Sequence, residues 1–200
     1  MIFDVSRLEN QAKYRLLNGG VTPRPIAWVS TRSNDNIDNL APYSFFTVAS
    51  CNPPVLMYTQ ITQRSGIDKD TLQNLLQTGE CVVNIVNQEL VEKMNRTSAS
   101  LDSQESEFDF AGIESCPSHH VSPLSVMQSP IRYECTLRDV IEVSAQPTGG
   151  KVIMLDVKHI YVRDDLYSEG QIDQALLDSI GKMGGDDFAT TSEQINLTRP

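Results

Sequence analysis

The chain has no C-x-x-C pair, no cluster of more than two adjacent Lys or Arg, and no apolar run near the roughly 18 residues that a membrane span requires. Each absence excludes a class. Cys51, Cys81, Cys116 and Cys135 are widely spaced, so neither a zinc site nor a redox dithiol is expected; the first two and the last read as small buried hydrophobes and Cys116 as a loop residue. Sixteen basic against 26 acidic residues give a net charge of -10, which repels a phosphate backbone and excludes nucleic acid as a partner. The opening stretch "MIFDVSRLENQAKYRLL" has no basic segment followed by an apolar one. A soluble, cytoplasmic protein with no membrane association is therefore expected. Two hundred residues at 40% hydrophobic content suit one domain spanning residues 1–200 better than two.

What is present reads mostly as strands. Ser6 followed by Glu9 has the form of a capping box, and Leu8, Ala12, Leu16 and Leu17 give a helical face that stops at Gly19-Gly20. "RPIAWVSTR" (24–32) precedes the polar turn "SNDNIDN", and "SFFTVAS" (44–50) and "VLMYTQI" (55–61) read as further strands. Asp70 reads as the N-cap of a helix beginning near Thr71, with Leu72, Leu75 and Leu76 on one face and Gly79 as its stop. "ECVVNIV" (80–86) is a strand and "NQELVEKMNRTS" a short helix. From Ser98 to Ser129 the chain is rich in Ser, Pro and acids without a sustained period, and a long surface excursion is predicted. "SPIRYECTLRDVIEV" alternates, "QPTGG" turns it back into the long strand "KVIMLDVKHIYVR", and "DQALLDSIGKMGG" reads as a closing helix. Strands that do not alternate with helices predict a mainly β fold, a six- to seven-stranded antiparallel barrel or sandwich with short peripheral helices. A doubly wound sheet is the runner-up, weakened because no G-x-G-x-x-G follows any strand.

The segment "NLAPYSFFTVASCNPPVLMYTQ" (39–60) is unusual for a strand because Pro42, Pro53 and Pro54 interrupt it where backbone donors would be needed. Taken with "TPRPIAWVSTR", "KDTLQNL", "ECVVNIV" and "SPIRYEC", in this order and at these intervals, it resembles the flavin reductase-like family, in its flavoredoxin-like branch. The resemblance covers roughly residues 20 to 190 and implies the FMN-binding split barrel, a Greek-key β fold. The chain departs from the family in two places: "SNDNIDN" lacks the glycine common at that turn, and Asp156 stands where relatives often carry a Gly-Glu pair.

The resemblance also implies a site. Ala41, Pro42, Tyr43, Ser44 and Thr47 would line a flavin ring, with Ser30 and Thr31 on its ribityl side, while Phe45 and Phe46 fill the barrel. A ring with polar edges needs a flat apolar seat and backbone or hydroxyl partners, which a proline-punctuated strand can offer. A phosphate dianion on an acidic chain needs local cations or exposed amides. "QRSGIDKDT" supplies Arg64, Ser65, Lys69 and Thr71 ahead of a helix N-terminus, a suitable anion site.

Other features read as structural. His119-His120 lie in a Ser/Pro loop with the wrong spacing for metal ligation, and no metal is expected. His159 reads as a partly buried strand residue. "GGDDF" (184–188) lies too near the last residue given to belong to a nucleotide cyclase domain. No catalytic side chain is assigned, because the flavin carries the chemistry. The expected function is an FMN-dependent oxidoreductase that passes hydride from NAD(P)H to flavin, as a homodimer by family resemblance. The alternatives are an electron-transfer flavoprotein with a protein partner and a barrel that has lost flavin.

Overall fold

The computed structural model describes residues 1–62 and 67–198. Its elements in order are α1 (Asn10–Gly20), β1 (Ala27–Arg32), β2 (Asp38–Tyr43), β3 (Phe46–Cys51), β4 (Pro54–Ile61), α2 (Asp70–Thr78), β5 (Glu80–Ile85), α3 (Val91–Arg96), α4 (Glu107–Ala111), β6 (Ser115–Cys116), β7 (Ser125–Val126), β8 (Ile131–Glu142), β9 (Gly150–Val162), β10 (Tyr167–Ser168), β11 (Gln171–Ile172), α5 (Gln174–Leu177), β12 (Ile180–Lys182) and β13 (Phe188–Thr190). Seven strands form one antiparallel sheet in the order β2-β1-β5-β8-β9-β4-β3. The two ends of that order share one core. Tyr43 of β2 packs on Tyr58 of β4, ring centroids 4.6 Å apart, so the sheet is rolled and remains open between β2 and β3. This is a split barrel, as the sequence predicts.

Three prolines fit this layout. Pro42 lies on β2 at the free edge of the sheet order, where a residue without an N–H is tolerated, and Pro53 and Pro54 turn β3 into β4. The glycine missing from the β1–β2 turn is replaced by Asn36, which takes φ 63°; asparagine tolerates that left-handed backbone better than most residues.

Strand β1 is buried on both faces. Ala27 and Val29 enter the barrel with Leu72 and Leu75 of α2, Cys81, Cys135, Ile153 and Leu155. Trp28 faces the other way, into a second core with Ile26, Leu40, Met94, Phe108 and Ile180, and its indole N–H donates to Thr97 Oγ1 at 2.9 Å. Two buried faces explain why β1 alternates so weakly.

Several expectations are corrected. Residues 98–129 are not a bare excursion: α4, β6 and β7 lie there, and Phe108, Ala111, Ile113 and Val126 complete the second core. The helix predicted over 173–185 stops after one turn, which Asp173 caps by accepting from Ala175 and Leu176 N–H; the chain then forms the β12–β13 hairpin. Gly181 belongs in that hairpin because a Cβ there would stand 2.6 Å from Pro23 Cβ. The capping box at Ser6 and Glu9 does not form. Asp4 caps a 3₁₀ turn instead, α1 starts after Glu9 and continues through Gly19-Gly20, and Leu16 and Leu17 are exposed. Lys69, not Asp70, occupies the N-cap of α2, while Gly79 closes that helix at φ 74° as predicted. Cys51 is exposed rather than buried. Phe46 packs against the barrel core, but Phe45 lies beneath the Arg24 guanidinium, 5.8 Å away. His159 is exposed, and its ring stacks on His120 at 3.3 Å. The His119 and His120 amides both donate to the buried Glu134 carboxylate, which docks their loop on β8.

Candidate functional site

A groove runs along the outside of β2. One part, about 270 Å³, is lined by Asn39, Ala41, Pro42, Lys69, Thr71 and the carboxylates of Asp68, Asp70 and Glu107, with residues 97–101 also lining it. A second part, about 420 Å³, is lined by Pro42, Ser44, Met94, Ser98, Lys182 and Phe188. Pro42 and Ser98 belong to both, so the two parts join end to end.

At the first end the polar side chains are tied together below the surface. Thr71 Oγ1 donates to Asn39 Oδ1 at 2.8 Å, and the Asn39 amide donates to both oxygens of Glu107 at 3.0 and 2.9 Å. Glu107 also accepts the Leu40 backbone N–H at 2.9 Å. Burial raises the Glu107 carboxyl above the usual carboxylate range, against the lowering effect of those donors. Burial also lowers the Lys69 ammonium, with Glu107 pulling the other way. Lys69 Nζ stands 5.4 Å from the Tyr43 ring centroid, and Lys69 forms no ion pair with a carboxylate among the described residues. The nine-residue helix α2 begins directly after it. A desolvated, unpaired ammonium beside free helix N–H groups can receive a phosphate.

At the second end the framework is backbone and cation. Arg24 is buried, and its guanidinium donates to the carbonyls of Asn18, Val21 and Met183 at 2.6, 2.8 and 3.0 Å and to Ser44 Oγ at 3.3 Å. It thereby fixes the Ser44 hydroxyl to the end of α1 and to the β12–β13 hairpin. Lys182 and Phe188 face each other in that hairpin, ammonium to ring centroid 4.3 Å.

Of the residues singled out in the sequence, Ala41, Pro42, Lys69 and Thr71 meet at the first end, and Pro42 and Ser44 at the second. Tyr43 points into the barrel core, where burial raises its phenol well above the ordinary value. Ser30 and Thr31 are fully buried: Ser30 donates to the Leu124 carbonyl, and Thr31 accepts from Asn74. Thr47 is exposed on β3 and lines an apolar hollow with Leu17 and Phe45, which shares Ser44 with the second part of the groove. Arg64 and Ser65 lie outside the described residues. Sequence reasoning missed Asn39, Glu107, Lys182 and Phe188. Asn39 stood at the head of the quoted segment. Phe108 in an otherwise acidic stretch was the signal that the chain returns to the core beside Glu107.

The rolled barrel and this groove define a class, and the comparisons agree with it. Residues 19–183 match the model of the flavin reductase like domain, and the chain belongs to that family. It is 38% identical over 203 residues to an uncharacterized protein of Halalkalibacterium halodurans, covering 98% of this chain and 93% of that one. Among solved structures it is similar to nitrilotriacetate monooxygenase component B from Bacillus cereus, with a TM-score of 0.93, 30% identity and 98% of each chain covered. It is also similar to the 2-nitrobenzoate 2-nitroreductase NbaA of Pseudomonas fluorescens, with a TM-score of 0.90, 28% identity, and 100% and 96% covered. Flavoredoxin of Desulfovibrio vulgaris shares the fold at a TM-score of 0.75 and 16% identity, over 88% of this chain and 91% of that one. The family supports an oxidoreductase role and a flavin cofactor in broad terms. Among the described residues, no helix is long and apolar enough to cross a membrane.

Proposed function

We propose that the chain binds FMN along the β2 groove and acts as an NAD(P)H-dependent flavin oxidoreductase. The observation that carries this reading is the groove's polarity. An unpaired lysine and a helix N-terminus stand at one end, and an apolar seat of Pro42 and Phe188 with a fixed hydroxyl, Ser44, stands at the other. A phosphate at Lys69 and Thr71 and a ring against Pro42 match those two chemistries. When bound, FMN supplies the acceptor for a hydride from NAD(P)H. The chain's own part is to hold the phosphate with Lys69, to orient the ring edge with Ser44, and to keep water from one side through Pro42 and Met94. Arg64 and Ser65 remain proposed phosphate contacts and Thr47 a proposed ring contact. Ser30 and Thr31 would act from beneath, Thr31 through its bond to Asn39 of β2 and Ser30 through its bond to the Leu124 carbonyl.

A homodimer is part of this proposal. An apolar hollow of about 390 Å³, lined by Leu17, Val21, Phe45 and Phe46, opens beside β3, where Val48 is also exposed. A second copy is the occupant that family resemblance supplies. Light scattering of the FMN-loaded protein should give twice 22.2 kDa.

The deciding experiment is anaerobic addition of NADH or NADPH to the FMN-loaded protein, followed by its visible spectrum. Bleaching by one nicotinamide within the mixing time is expected. Bound flavin that neither nicotinamide reduces would assign electron transfer with a protein partner instead. A protein that takes up no flavin would refute both readings.

A further inference from the structure

We propose that Lys182, backed by Arg24, makes the ring end of the groove favour the reduced, anionic flavin over the oxidised one. This inference rests on the FMN reading and adds a role for residues that the reading does not need for binding.

The chain carries 26 acidic and 16 basic residues, yet at this end of the groove Lys182 lines the cavity with one carboxylate, Asp186, beside it and Arg24 held behind it. The two cations are brought together by backbone: Arg24 and Lys182 form an isolated antiparallel bridge, Arg24 N–H donating to the Lys182 carbonyl at 3.0 Å and Lys182 N–H to the Arg24 carbonyl at 2.8 Å. Neither forms an ion pair with a carboxylate among the described residues. Arg24 spends its donors on three carbonyls and the Ser44 hydroxyl. Lys182 Nζ donates to the carbonyls of Gly185 at 2.6 Å and Asp187 at 3.0 Å, both within its own hairpin. An ammonium has three donors, so one is uncommitted among the described residues, and Lys182 lines the cavity with Pro42 and Ser44.

Burial and the neighbouring Arg24 charge both lower the Lys182 ammonium below its usual value, while Asp186 and Asp187 raise it. Two like charges held together in partly desolvated surroundings are relieved by an incoming anion. A flavin held there would become that anion on reduction, since a hydride from the nicotinamide would bring its electron pair to a neutral ring and the nicotinamide would leave as its cation. A fixed cation at the ring therefore stabilises the product of the transfer more than the starting state.

The test is equilibrium binding of oxidised FMN and of chemically reduced FMN, under anaerobic conditions, to the parent protein and to Lys182→Gln and Lys182→Arg. The parent should bind reduced FMN more tightly than oxidised FMN. In Lys182→Gln that ratio should fall about tenfold, equivalent to a two-electron midpoint potential about 30 mV lower, while Lys182→Arg keeps it. Parent protein that prefers oxidised FMN would overturn the inference, whether or not the variants fold. So would a Lys182→Gln ratio equal to the parental one. Failure of the parent to bind FMN in either state would refute the FMN reading itself and the inference with it.

Discussion

The two ends of the groove place a cation on an acidic chain by opposite means. At the Lys69 end, side chains from three separate segments (Asn39, Thr71 and Glu107) bond to one another behind the surface, and the ammonium in front of them has no carboxylate partner among the described residues. At the Lys182 end the side chains meet in isolated pairs, Arg24 with Ser44 and Lys182 with Phe188, and not in a network. Arg24 and Lys182 are satisfied almost wholly by carbonyls, and a backbone bridge sets their spacing. A side-chain network can be altered one residue at a time with local effect. A cation that holds three carbonyls from different elements cannot, because its removal releases the elements themselves.

Mutations can break that comparison. The largest effect is expected from Arg24→Lys. A lysine has no planar fork to reach Asn18, Val21, Met183 and Ser44 together, and losing at least two charge-assisted bonds should cost about 3 kcal/mol of stability or more, read by urea unfolding. Unchanged stability would mean that the α1 end and the β12–β13 hairpin are held by other contacts. Next comes Lys69→Ala, which removes one charge-assisted bond to phosphate, worth about 1.5 to 3 kcal/mol of FMN affinity. Folding should be little altered. Titration should show FMN weakened roughly 10- to 150-fold and riboflavin unaffected; equal losses for both would place the phosphate elsewhere.

The smallest effect sharpens the network side. Burial raises the Glu107 carboxyl, so the folded chain holds that proton more tightly than the unfolded chain does. Stability should therefore fall as pH climbs from the unfolded value near about 4.3 to the raised folded value, and level off above it. Glu107→Gln should lose that slope. It should also cost about 1 to 2 kcal/mol at neutral pH, because the amide nitrogen that replaces one Glu107 oxygen is a donor facing the Asn39 amide and can no longer accept from it. Thermal unfolding of both proteins across that pH range makes the comparison, and a slope that survives in Glu107→Gln would assign it to another acid.

How much of this was legible in the sequence follows from where each signal resides. Strands β8 and β9 were readable because Cys135, Ile153 and Leu155 enter the barrel while their neighbours stay outside, a local period of two. The Pro42 segment was readable as special but not as strand β2, because its edge position is a property of the whole sheet. The end of α2 at Gly79 is local chemistry and was found. The β12–β13 hairpin was missed because Ala175 to Met183 carries a helical spacing of apolar residues. What defeats the helix is the fit of Gly181 against Pro23 and the bridge from Lys182 to Arg24, contacts with residues more than 150 positions away. The same holds for the site. Lys69 and Thr71 announced themselves by standing at the start of a helix, whereas Glu107 and Lys182 reach the groove only through tertiary packing.

The central claim is that the β2 groove grips a flavin by its phosphate at one end and its ring at the other. It is tested most directly by titrating the parent protein with FMN, riboflavin and FAD at moderate ionic strength. The account predicts about one FMN per chain, riboflavin at least tenfold weaker for want of the phosphate, and FAD weaker than FMN because the proposed grip at Lys69 is for one terminal phosphate. Riboflavin binding as tightly as FMN, or no flavin binding at all, would contradict it.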